Sequence, residues 1–308
     1  MKRRFRLGII TDEVSQRMDE AVSFAGRYGL DAIELRSVNG KGIHQLSDEE
    51  IDAIGRLALE HGLAVSGIAG PLFKCELNAP EQIEEHLAMA ERLADIAVKL
   101  GAPLLRGFTF WASPELPFAD AVPAIAEHLR KLIPLLERSG IVLALEYDPS
   151  TYASNAAKTA AVLEAVDSPW IQALYDPGNN IWDPDGEVPY PAGYEAIRER
   201  LCHVHLKDAV RTPGGIEAVA VGTGEVDYRG LLRRLDREGY NGFLIIETHY
   251  RMKSQLTEEQ LKRPAGNAFS EGGLEASAHC TEHLLHLLRE LGMEEAELSA
   301  RIGDSSEQ

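Results

Sequence analysis

Five times along the chain a helical stretch closes on glycine and an apolar run begins within a residue or two. The junctions are Tyr28-Gly29-Leu30-Asp31-Ala32-Ile33, His61-Gly62-Leu63-Ala64-Val65, Leu100-Gly101-Ala102-Pro103-Leu104, Ser139-Gly140-Ile141-Val142-Leu143 and Glu238-Gly239-Tyr240-Asn241-Gly242-Phe243. Glycine supplies the left-handed residue that ends a helix, so each junction reads as a helix stop followed by a strand start. Amphipathic runs of helical period lie between them, as at 81–100 and 119–137, and Ser47-Asp48-Glu49-Glu50 has the form of a capped helix start. The alternation predicts strands at 6–10, 31–36, 64–69, 103–108, 141–147, 171–176, 201–206 and 242–247. Eight apolar strands separated by helices belong in a parallel sheet covered by helices, and eight such units close as a (β/α)8 TIM barrel. An open doubly wound sheet would carry a glycine-rich phosphate turn after its first strand, whereas here that strand runs into Thr11-Asp12-Glu13. The expected architecture is one α/β barrel over 1–293 with long loops at its C-terminal face, then a polar tail at 294–308.

Composition narrows the partners. A chain of 308 residues with 44% hydrophobic content can bury one large core. Its formal charge of −18, from 49 acidic against 31 basic residues, opposes nucleic acid as a partner. Cys75, Cys202 and Cys280 are widely spaced with no CxxC, which suits reduced, packed thiols in the cytosol. The apolar run Leu7 to Ile10 is too short for a signal peptide, and no segment approaches the roughly 20 apolar residues of a membrane span. A soluble cytoplasmic protein with no membrane partner is expected.

The chemistry is announced by strand ends. Five strands turn from apolar to acid or imidazole at their last positions, at Glu34, Glu146, Asp176, His205 and Glu247. A βα barrel carries its chemistry at the C-terminal ends of its strands. Glu146, Asp176, His205 and Glu247 close strands five to eight and therefore sit side by side around one half of the rim. Three carboxylates and one imidazole suit one Mn²⁺ or Mg²⁺, can accept Co²⁺ or Zn²⁺, and leave room for two substrate oxygens. A metal holding adjacent hydroxyl and carbonyl oxygens of a sugar acidifies the C–H between them and stabilises an enediolate. Glu146 and Glu247, on well separated strands, are the candidate acid/base pair that removes and returns the proton.

The motifs Leu145-Glu146-Tyr147, Tyr175-Asp176-Pro177-Gly178-Asn179, His203-Val204-His205-Leu206-Lys207-Asp208 and Ile246-Glu247-Thr248 resemble those of the sugar phosphate isomerase/epimerase family, the xylose-isomerase-like TIM barrels. The likeness spans nearly the whole chain. It implies Glu146, Asp176, His205 and Glu247 as metal ligands, Glu146 and Glu247 as the proton-transferring pair, a sugar or polyol substrate, and a fold that often forms homo-oligomers. Arg211 matches a substrate-binding arginine of the ketose 3-epimerases in this superfamily. Asn179 departs from them, standing where they carry a substrate-binding histidine. That leaves isomerisation, epimerisation and the dehydration of an inosose or keto-sugar as the implied activities.

Several other residues have both a binding and a structural reading. Lys207 can stabilise an oxyanion or be solvated, Glu34 can meet substrate or form a rim ion pair, and Arg36 and Arg106 can grip an anion or pair with Glu34 or another acid. His44, Trp111 and Trp182 are candidate pocket walls. His203 lies a layer below His205 and reads as a supporting residue. His249 is either a neighbour of the ligands or exposed. Gly222-Thr223-Gly224 is a tight turn with weak phosphate character, followed by a helix capped by Asp227. The loops 177–190 and 207–227 are expected substrate covers, and 251–271 a lid or a linker to a final helix near 272–291. Two other classes fit the sequence less well. An endonuclease IV type DNA-repair nuclease wants more rim histidines and a basic groove, and a non-catalytic barrel would not retain the four-residue set.

Overall fold

A computed structural model describes residues 4–294. Its strands are β1 (Arg6–Ile10), β2 (Ala32–Leu35), β3 (Ala64–Leu72), β4 (Leu104–Gly107), β5 (Val142–Glu146), β6 (Ile171–Tyr175), β7 (Leu201–Leu206) and β8 (Phe243–Ile246). Each pairs in parallel with the next, and β8 returns to β1 with Leu7 opposite Leu244 and Ile9 opposite Ile246, closing the barrel. The sequence expectation of eight parallel strands holds.

The glycine junctions work as read. Gly29, Gly62, Gly101, Gly140 and Gly239 all have φ between 58° and 70°. Before β6 the same duty falls to Asp167 (φ 50°), a residue type that tolerates the left-handed region. Ser47 and Glu50 form a capping box, and Asp227 accepts the Gly230 N–H at 2.9 Å. One expected helix divides: 119–137 is two helices, Phe118–Arg130 and Ile133–Ser139. Pro134 has no N–H to give the Arg130 carbonyl, so the first helix stops there.

Side-chain alternation builds two layers from each strand. Ile33, Leu35, Leu105, Leu143, Leu145, Ala173, Val204, Leu244 and Ile246 face the helices and join the main core. The opposite set faces the barrel axis. Its lower members form two small apolar clusters, Ile10, Ala32, Phe243 and Ile245 in one and Leu104, Ala144 and Leu174 in the other. Two residues further along these strands the inward positions become Glu34, Arg106, Glu146, Asp176 and Glu247. The apolar floor thus ends in a buried polar ring.

The loops at the C-terminal face are more ordered than expected. Instead of an irregular 207–227 loop there is an antiparallel hairpin, Asp208–Thr212 against Gly215–Val219, with Val210 opposite Glu217. The 251–271 stretch holds two short helices, Glu258–Lys262 and Gly266–Ser270, and then the last helix, Gly273–Glu290, whose Ser277 Oγ bonds the Glu13 carbonyl at 3.1 Å. Of the expected polar tail, 295–308 lies outside the described residues. Among the described residues no helix is long and apolar enough to cross a membrane. All three cysteines are free.

Candidate metal centre and its cavities

Glu146, Asp176, His205 and Glu247 are buried, and each brings one ligand atom to within 4.8 Å of all the others. His205 Nε2 is held by Glu34 Oε1 at 2.9 Å, and Glu34 Oε2 meets His203 Nε2 at 2.7 Å. The other ring nitrogen, Nδ1, is buried with no hydrogen bond. It faces Glu146 Oε1 at 3.5 Å and Glu247 Oε2 at 3.6 Å, too far for well-formed bonds. A buried polar atom left without a partner costs about 1–3 kcal/mol. A cation shared by these donors would remove that cost, and a hard, oxygen-rich set with one imidazole suits a divalent ion. The residues present fit such an ion. Two other groupings of potential ligands do not. Glu34 is already bonded directly to both imidazoles, and Arg36 sits between Glu13 (2.8 Å) and Glu247 (2.9 Å), beside His249.

Fixed cations balance the acids. Lys207 Nζ lies 2.5 Å from Asp176 Oδ2 and 2.9 Å from Glu247 Oε2, and Arg106 Nη1 lies 3.2 Å from Glu146 and 3.5 Å from Glu247. Burial pushes the Asp176 carboxyl up to about 8, against the pull of Lys207 and helped by Glu247 and Glu146. Burial would raise Glu247 as well, but Lys207, His249 and His205 hold it well below the usual carboxylate range. Glu146 is likewise lowered, by Arg106 against burial. Burial disfavours charge on His205, yet Glu34 outweighs it, with Glu146 and Glu247 assisting, and keeps the ring protonated well above its ordinary range. The same negative surroundings that retain this proton attract a dication to replace it.

A cavity of about 510 Å³ opens on the centre, within the size range of small-molecule sites. Glu146, Asn179, Lys207, Glu247, Arg106 and His249 line its polar side, and Phe108 and Trp182 wall it. Asn179 is fixed by donating to the Tyr147 carbonyl at 2.8 Å, 3.5 Å from Glu146. Beside it lies a second cavity of about 320 Å³ that shares Lys74, Arg106 and Pro264, and His44 and Trp111 line only this one.

Other candidates sit elsewhere. Glu34 is wholly buried under the imidazoles and lines neither cavity, because the inward turn of β2 delivers its carboxylate to His203 and His205. Its carboxylate is taken up by the two imidazoles and supports His205. Arg211 is about half exposed on the hairpin, ion-paired with Glu225 and bonded to the Ile181 carbonyl at 3.0 Å, and it too lines neither cavity. Lys207 is not solvated, and Arg36 pairs with Asp12, Glu13 and Glu247, not with Glu34. The glycine turn is a carboxylate cradle of its own: Asp208 accepts N–H groups from Gly222 (3.0 Å), Gly224 (2.8 Å) and Val226 (3.2 Å), and a Cβ on Gly224 would fall 2.5 Å from the Ala209 carbonyl.

Sequence reasoning missed Asp12 and Glu13, although only Thr11 separates them from the apolar run of β1. It also missed Phe108, Lys74 and Asp148, the last two an ion pair at 2.7 Å with no local signal. His249 is buried at φ 40°, a strained conformation for a non-glycine residue, and its backbone N–H is held by Glu13 at 3.1 Å.

The family model for the xylose isomerase-like TIM barrel matches residues 22–291. The chain belongs to this family. Among curated relatives, the L-ribulose-5-phosphate 3-epimerase UlaE of Escherichia coli (strain K12) is 30% identical over 120 residues, 39% of this chain and 40% of the relative. The match thus spans about two fifths of the length of that relative. Two solved structures share the fold. The D-allulose 3-epimerase of Methylomonas sp., in complex with D-allulose, has a TM-score of 0.71 at 17% identity, covering 92% of this chain and 98% of that one. The IOLI protein with a bound zinc atom has a TM-score of 0.72 at 14% identity, covering 93% and 99%.

Proposed function

We propose that this xylose isomerase-like barrel is a divalent-metal-dependent isomerase or epimerase of a keto-sugar. The observation that carries the reading is the His205 imidazole, held at Nε2 by Glu34 and presenting an unpartnered Nδ1 to Glu146 and Glu247 at the floor of a sugar-sized cavity. Glu146, Asp176, His205 and Glu247 would hold the ion. An ion held there would supply Lewis-acid polarisation of a carbonyl and its neighbouring hydroxyl, which acidifies the C–H of the hydroxyl-bearing carbon. Mn²⁺ and Mg²⁺ suit the oxygen-rich set best. The names of the relatives, a ribulose-phosphate epimerase and an allulose epimerase, support the sugar class.

The chain's own groups then do the following. Glu247, kept ionised by Lys207 with help from His205, is the base that takes the proton from carbon. Glu146 enters from β5, across the mouth from β8; ionised at rest, it takes up a proton from solvent and delivers that one, while Glu247 releases to solvent the proton it has gained. Delivered to the same carbon from the other side, that proton inverts the centre; delivered to the neighbouring carbon, it isomerises the sugar. Lys207 donates to the oxygen that gains negative charge. Asn179 offers an oriented amide to a hydroxyl, and Phe108 and Trp182 exclude water.

The test is hydrogen exchange with solvent. With Mn²⁺ in D2O, a panel of ketoses is expected to gain deuterium beside the carbonyl, and Glu146→Gln and Glu247→Gln should each slow the gain by about 10²–10⁴-fold. Absence of exchange by the metal-loaded protein across the panel would overturn the reading. Elimination of a hydroxyl starts from the same proton removal, and analysis of the product separates it from epimerisation.

A further inference from the structure

The second cavity has a chemistry of its own. In a chain of net charge −18, its lining includes Arg36, Lys74, Arg106 and Arg263 with the imidazoles of His44 and His86, and among the described residues no Asp or Glu lines it. Three cations gather about one indole: Lys262 Nζ is 4.8 Å from the Trp111 ring centre, and Lys74 Nζ and Arg263 Cζ are each 5.6 Å away. Their neutralisation is incomplete. Asp148 pairs with Lys74, Glu259 reaches Arg263 only at 3.9 Å, and Lys262 has no carboxylate within 4.0 Å among the described residues. Two buried polar atoms here have no partner among the described residues. Arg106 is 4% exposed with its Nε unbonded, and His44 Nδ1 is buried and unbonded. Like charges gathered in a concave, low-dielectric site raise the local concentration of anions.

From this we infer that the second cavity is a subsite for an anionic end group of the substrate, a phosphate monoester. The inference rests on the keto-sugar reading and sharpens it. Because the two cavities share Lys74, Arg106 and Pro264, a ketose with its reacting carbons at Glu146 and Glu247 extends its far end past Arg106 into the cationic chamber. There the guanidinium of Arg263 and the ammonium of Lys74 meet the phosphate oxygens, and Arg106 Nε gains an acceptor. The strap 258–265 closes over the group, tethered by the Lys74 ammonium, which donates to the Lys262 carbonyl at 3.0 Å.

Inorganic phosphate and methyl phosphate serve as probes, titrated calorimetrically into the full chain with and without Mn²⁺. Arg263, with a side chain 61% exposed, can be changed without unfolding the barrel. Arg263→Glu is expected to weaken phosphate binding by at least about tenfold while leaving Mn²⁺ affinity unchanged, and raised salt should weaken the parent's phosphate binding. His205→Ala should do the reverse, losing Mn²⁺ and keeping phosphate. No phosphate binding by the parent, or equal binding by Arg263→Glu, overturns the inference. Acetate competing as well as methyl phosphate overturns the phosphate assignment in favour of a carboxylate. Phosphate binding that depends on Arg263 in a protein that exchanges no ketose hydrogen would sink the keto-sugar reading alone, whereas exchange without any preference for phosphorylated ketoses would sink the subsite alone.

Discussion

The two sides of the barrel mouth carry opposite charge and are built by different means. Over β5 to β8 the acids Glu146, Asp176 and Glu247 stand, with His205, within one residue of strand ends, so the pleat of a closed sheet fixes where each points. Over β2 to β4 the cations Lys74, Lys262 and Arg263 are long side chains from a loop and the strap, and they gather about Trp111, with Lys74 also over Phe108. A rigid frame sets the geometry that proton transfer and ion binding require. An adaptable rim suits the grip of a charged group whose position matters less.

That contrast can be broken first at the acidic side. His205→Ala should cost more than about 100-fold in Mn²⁺ affinity, since it removes a ligand whose supporting partners alone are worth about 10–100-fold; calorimetry or metal analysis after gel filtration reads the loss, and retained stoichiometric Mn²⁺ would mean the ligand set is wrong. Glu34→Gln keeps the shape but removes the charge held between two buried imidazoles. We expect it to lower Mn²⁺ affinity by about tenfold or more and destabilise the fold by about 3 kcal/mol in urea. A variant with unchanged stability would show that the Glu34 pairs contribute nothing.

Gly178→Ala probes the frame by sterics alone. The native φ of −63° suits alanine, but the added Cβ would lie 2.6 Å from the Lys207 carbonyl oxygen and 2.7 Å from its Cβ. Overpacking against backbone costs about 1–3 kcal/mol, and a denaturation midpoint equal to the parent's would refute it.

The smallest effect sharpens the cationic side. Burial lowers His86 from 6.5 to about 4, with His44 nearby adding to the effect, and its Nδ1 accepts the Phe73 N–H at 2.9 Å. The folded state therefore binds fewer protons than the unfolded one between these values. The resulting stability is fully present above about pH 6.5 and is lost as pH falls towards about 4, by roughly 2 kcal/mol once partial exposure is allowed for. Urea unfolding at about pH 7 and pH 4.5 should show His86→Asn losing less than the parent over that interval. Parallel losses would remove His86 from the account.

How legible each side was follows from its construction. The eight strands, the five glycine stops and the caps at Ser47 and Asp227 are local signals, and the fold follows from them. The strand-end acids are local too, being inward positions just after an apolar run. What stayed hidden was set by distance in the chain. Arg36 meets Glu247 only because β8 closes on β1, and Lys74 meets Asp148 across two strands. Arg211 shows the converse: its position six residues after His205 is a local signal, but the hairpin turns it towards Glu225. The hairpin itself escaped notice because Asp208-Ala209-Val210-Arg211-Thr212 is too polar and short to stand out as a strand.

The junction between β1 and β8 also sets a schedule for the molecule as it is made. Asp12, Glu13 and Arg36 leave the ribosome more than 200 residues before Glu247, and the helix Gly273–Glu290 that braces Glu13 comes later still. Until that last stretch emerges, a nascent chain holds unpaired charges and an open sheet edge on either side of a missing wedge. If the four-residue set holds an ion, as proposed, its loading would have to wait until Glu247 has emerged, and a ribosome stalled before that point would leave an incomplete set of ligands.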